Sequence, residues 1–119
     1  MDKKDYLTSF LVVLIIILIF AAIDYFFHSL SNEYDVPSYY FRNKILFGIL
    51  IGYITYLIFG KKTIFIRALL FSSVVSVLLQ IRYYFEGYPL DFVFIFLGIH
   101  FVILLGVSYV VFRIYEKIK

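Results

Sequence analysis

Phe10-Leu-Val-Val-Leu-Ile-Ile-Ile-Leu-Ile-Phe-Ala-Ala-Ile23 is an unbroken apolar run, and it closes on Asp24 and His28, one helical turn apart. With the four residues before it, residues 6–23 form 18 positions without a charge. In hydrocarbon, every backbone N–H and C=O must find a partner within the protein, so a segment of this length reads as a membrane-spanning helix. Its middle is apolar on all faces, and periodicity therefore does not orient it. Lys3 and Lys4 would suit the start of a secretion signal, but the apolar core is too long and no small-x-small cleavage site follows. The helix is expected to be retained.

The rest of the chain has the same character. Hydrophobic residues make up 64% of the 119 positions and charged residues 16%, more apolar content than a soluble domain of this size can cover with polar surface. The expected fold is an all-α integral membrane protein, an antiparallel bundle of four transmembrane helices forming one domain over residues 1–119. Its spans fall at about 6–29, 39–60, 63–86 and 90–113, judged from the length needed to cross a bilayer. The turn at Gly60-Lys61-Lys62, the turn at Gly87-Tyr88-Pro89 and the longer loop at 31–40, with Glu33, Asp35 and Pro37, separate them. Arg42 and Lys44 are expected to snorkel from the second span to the headgroups. The 12 Tyr, with no Trp, supply the interfacial aromatic belts.

Orientation follows from the basic residues near the span ends. Lys3, Lys4, Lys61, Lys62, Arg67, Arg113, Lys117 and Lys119, eight of the eleven Lys and Arg, fall on one side. That side is the cytoplasmic one by the positive-inside rule. Both termini are then cytoplasmic, in a multi-pass protein of the cell membrane.

Small residues allow helices to approach closely in lipid. Gly48 and Gly52 form a GxxxG on the second span, and Ala68, Ser72 and Ser76 a four-residue stripe on the third. Counted from the Lys61–Lys62 turn, the two stripes lie at matching depth, so they are expected to pack together. Gly98 and Gly106 on the fourth span could receive a second copy or another membrane protein.

Five ionisable residues lie within or at the outer edge of the spans: Asp24, His28, Arg82, Glu86 and His100. Charge in hydrocarbon is costly, so such groups face the bundle interior and take partners. Depth counting pairs Asp24 with Arg82, and the five groups could line an outward-facing polar pocket. The leading functional expectation is binding or transport of a small solute or ion there. A non-catalytic accessory subunit of a membrane complex is the alternative. A further one is a metal site on Asp24, His28 and His100, or haem held between the two histidines. The sequence requires no cofactor. With no cysteine, thiolate metal sites and thiolate catalysis are excluded. Nothing identifies a nucleophile or a substrate, so an enzyme is not the favoured reading. The basic inner face matches topology and anionic lipid, with no call for nucleic acid.

Overall fold

The computed structural model describes residues 3–119. Four helices in it are long and apolar enough to cross a membrane: α1 (Lys3–His28), α2 (Ser38–Phe59), α3 (Ile64–Phe85) and α4 (Leu90–Ile118). A short 3-10 helix, Asn32–Tyr34, lies in the loop between α1 and α2. Pro37 and Pro89 stand at the N-caps of α2 and α4 with extended backbone, where a missing N–H costs nothing. The turn from α3 to α4 needs a positive φ, which Gly87 supplies at 98°. At its far end α4 runs five residues past the expected limit at 113. The polar residues there sustain it, with Glu116 held by both Arg67 and Lys119.

The helices pack in a ring, α1 on α2 and α4, and α3 on α2 and α4. The contacts fix the register. The Tyr53 hydroxyl donates to the Tyr6 carbonyl, Gly52 faces Val13, Gly48 faces Ile17, and Lys44 meets Asp24. Across the next interface, Tyr40 stacks on Tyr83 and Phe71 lies against Gly52. Gln80 Nε2 donates to the Val93 carbonyl (2.7 Å), joining α3 to α4.

Val13, Ile16, Ile17, Phe20, Phe71, Val75, Leu79, Leu104 and Phe112 fill the centre. The outside is also apolar: Leu11, Ile15, Leu18, Ile54, Ile58, Phe94, Val102 and Val110 are exposed. A soluble protein rarely leaves so much contiguous apolar surface in water, whereas lipid tails cover it without cost.

The glycine stripe takes different partners from those expected. A Cβ at Gly48 would sit 3.3 Å from Ile17, and one at Gly52 would sit 3.0 Å from the Phe71 ring and 3.1 Å from Val13. The two glycines thus let α1 approach α2, and the Phe71 ring enters the notch from α3. Ala68, Ser72 and Ser76 are buried on α3, but the serine hydroxyls turn to their own helix. Ser76 donates to the Ser72 carbonyl (2.6 Å) and Ser72 to that of Leu69 (3.1 Å). Bonding back to the preceding turn satisfies a buried hydroxyl without a neighbouring helix.

Candidate functional site

In the half of the ring nearest the loop between α1 and α2, three helices direct ionisable side chains at one point. Asp24 and His28 come from successive turns of α1, Lys44 from α2 and His100 from α4. Asp24, Lys44 and His100 are 0% exposed and His28 is 3% exposed. A lysine ammonium has three N–H donors, and three groups able to accept surround it here. Lys44 Nζ donates to Asp24 Oδ2, lies 2.9 Å from His100 Nε2, and lies 3.4 Å from His28 Nε2.

The surroundings place a proton on one imidazole nitrogen. His28 Nδ1 lies 2.8 Å from the Tyr34 carbonyl oxygen, which can only accept. Nδ1 therefore carries a proton, and Nε2 lies between Asp24 Oδ2 (3.2 Å) and the Lys44 ammonium (3.4 Å). His100 Nδ1 has no partner and is buried, while its Nε2 faces both Lys44 and Asp24 Oδ1 (3.0 Å). That carboxylate oxygen is at ion-pair distance from His100 without an aligned hydrogen bond. With both imidazoles neutral, the cluster holds one carboxylate and one ammonium and carries no net charge.

Rings enclose it. The Lys44 nitrogen is 4.3 Å from the centre of the Tyr40 ring and 5.6 to 5.7 Å from those of Tyr83, Phe20 and Phe41. Aromatic faces attract a cation, most strongly where water is excluded. His28 stacks on Phe96 at 4.0 Å and 5°, which fixes its ring plane. The Tyr40 and Tyr83 hydroxyls are buried without partners.

Of the five residues singled out in the sequence, the structure brings Asp24, His28 and His100 together and leaves Arg82 and Glu86 apart. The expected Asp24–Arg82 pair does not form. Arg82 pairs with Glu86 one turn along its own helix (3.0 Å), at 37% and 30% exposure, and lies 3.7 Å over the Phe47 ring. Lys44 takes the place assigned to Arg82. It does not snorkel outward, because it belongs to the buried face of α2 that also carries Tyr40, Gly48, Gly52 and Tyr56. These five positions are four residues apart, the spacing of one helix face.

Nor does the cluster stand open to the outside. The His28–Tyr34 bond, Phe96 and Tyr40 close it. Hollows lie at the rim instead. One of about 140 Å³ is lined by His28, Tyr25, Asp35 and Phe41. Another, of about 450 Å³, is lined by Glu33, Asp35 and Asp91 together with Tyr34 and Tyr88.

The donor set fits a metal better than haem. One ligand atom each from Asp24, His28 and His100 lie within 4.8 Å of one another. Two axial haem ligands need a flat slot for the porphyrin between them. Here Lys44 and Asp24 fill the space between the imidazoles.

No protein-family model matches the chain, and no curated protein or solved structure is significantly similar to it.

Proposed function

We propose that this chain is an antiparallel four-helix protein of the cell membrane, with both termini cytoplasmic, that binds and carries a small cation through the site at Asp24, His28, Lys44 and His100. One observation carries the reading: a cation, the Lys44 ammonium, sits deep among apolar helices on three convergent acceptors from α1 and α4. Burying ions in hydrocarbon is costly, and charged groups kept there commonly mark ion pathways. A merely structural pair would need one acid and one base. The two added imidazoles extend the acceptors into a cation-coordinating shell. The acidic hollow at Glu33, Asp35 and Asp91 supplies negative potential at the outer mouth, next to the residue that holds His28.

The test is ion movement into vesicles reconstituted with the full chain, using Na+, K+, Mg2+ and cobalt(II) in turn and an internal pH dye. We expect uptake or coupled proton movement above that of protein-free vesicles, and its loss in Asp24→Asn and His100→Ala while helical content persists. Flux unchanged by both substitutions, or no flux in the wild type, overturns the reading.

A second reading rests on α4. A Cβ at Gly98 or Gly106 would meet nothing within 4 Å, and Gly106 lines an apolar hollow of about 490 Å³ between α1 and α4. A helix of a second copy or of a larger membrane complex would fit that face, as in an accessory subunit. Gly106→Phe should then abolish cross-linked dimers or partner capture and leave the monomer folded.

A further inference from the structure

We infer that the cation the site accepts is a divalent transition metal of the zinc or cobalt type, and that Lys44 is a tethered competitor occupying the metal's place. The inference rests on the carriage reading above and names its cargo. Donor chemistry comes first. Two imidazole nitrogens and one carboxylate suit zinc, cobalt, nickel and copper, whereas Na+, K+, Mg2+ and Ca2+ prefer sites made wholly of oxygen. Asp24 Oδ2 is 3.2 Å from His28 Nε2, and Asp24 Oδ1 is 3.0 Å from His100 Nε2. Each is about one edge of a coordination polyhedron whose bonds are about 2.0–2.2 Å long, and because they run to different oxygens Asp24 would bind through both. The orientation of His28 suits it as well: Nδ1 donates to Tyr34, so in the neutral ring it is Nε2, facing the cluster, that offers a lone pair. A backbone carbonyl behind a ligating histidine is the usual arrangement at metal sites.

What stands among these three donors is an ammonium. Lys44 Nζ contacts all three ligand groups. A metal can enter only as Lys44 leaves, and the groups that would receive its ammonium are the neighbouring aromatic ones. Helical side chains lean toward the N-terminus of their helix. For Lys44 that direction leads past Tyr40, one turn away, where the Tyr40 and Tyr83 rings face the ammonium and their hydroxyls lack partners. In this exchange Lys44 would stay a cation, giving up the carboxylate for the Tyr40 and Tyr83 hydroxyls while keeping their ring faces, with no proton exchanged. Ligand exchange of this kind gives a site that releases its metal, because the tethered ammonium always competes for it.

The experiment is cobalt(II) titration of the full chain in detergent, read by the visible d–d absorption that reports nitrogen and oxygen ligation. The wild type should give this spectrum at millimolar metal. Lys44→Met should bind cobalt(II) about tenfold tighter or more, because the internal competitor is gone. Adding His100→Ala to that variant should weaken binding by about tenfold or more. Zinc(II) should displace the cobalt, and Mg2+ should not. Lys44→Gln serves the same comparison if Lys44→Met does not fold. No spectrum in the wild type, no gain on removing Lys44, or binding indifferent to His100 overturns the inference. Vesicles separate it from the reading it rests on. Asp24-dependent movement of protons or Na+ with no cobalt(II) binding removes the metal and leaves carriage. Cobalt(II) binding with no Asp24-dependent flux of any ion supports the metal site and removes carriage.

Discussion

Lys44 and Asp24 form a buried pair in which each residue depends on the other. Removing one partner of such a pair leaves a charge without compensation and costs about 3–5 kcal/mol, whereas replacing both with apolar groups is often neutral. Asp24→Asn should therefore lower unfolding stability in detergent, followed by far-ultraviolet circular dichroism, by roughly that amount. Asp24→Asn combined with Lys44→Met should recover most of it, and strictly additive losses would contradict the pairing. Arg82→Met should cost no more than about 0.5 kcal/mol, because its partner Glu86 is on the same helix and both are partly exposed. Three members of the cluster were legible in the sequence, since Asp24, His28 and His100 interrupt apolar runs. Lys44 was not, because counting depth from the helix end made it look interfacial. Its face gave a signal that depth did not: Tyr40, Lys44, Gly48, Gly52 and Tyr56 share one four-residue spacing, and all five are buried.

The four helices were readable from length and hydropathy alone, because lipid leaves the backbone few alternatives. Their mutual packing was less so. A small-residue stripe says where a helix can come close, and not which neighbour uses the space. The structure gives the Gly48–Gly52 notch to Val13 and Ile17 of α1 and to Phe71 of α3. A graded series follows. Gly52→Ala should destabilise most, since its methyl group would press on a ring and a branched side chain held on two different helices. Gly48→Ala meets only the flexible Ile17 side chain and should cost less. Gly106→Ala, in open space, should be neutral or stabilising by up to about 1 kcal/mol through helix propensity. Thermal unfolding of the three variants in one detergent checks this order, and equal losses at Gly48, Gly52 and Gly106 would contradict the packing.

The four helices in their ring tie a charge pattern to a site. The basic residues gather where α2 turns into α3 and at the chain ends, while Glu33, Asp35 and Asp91 gather around the opposite mouth. The chain contains no cysteine, so single cysteines can be introduced without background. Glu33→Cys should react with a membrane-impermeant maleimide added to intact cells, and Lys62→Cys only after permeabilisation. The reverse pattern would invert the orientation and turn the acidic mouth to the cytoplasm.

Ion movement through the double variant Asp24→Asn with Lys44→Met bears most directly on the site, since it keeps the cluster neutral and removes both charges. In reconstituted vesicles we expect this variant to remain folded and to move no ion above protein-free vesicles, while the wild type does. Wild-type flux in the folded double variant would mean that the pair only holds α1 to α2, and that cations do not pass by way of Asp24.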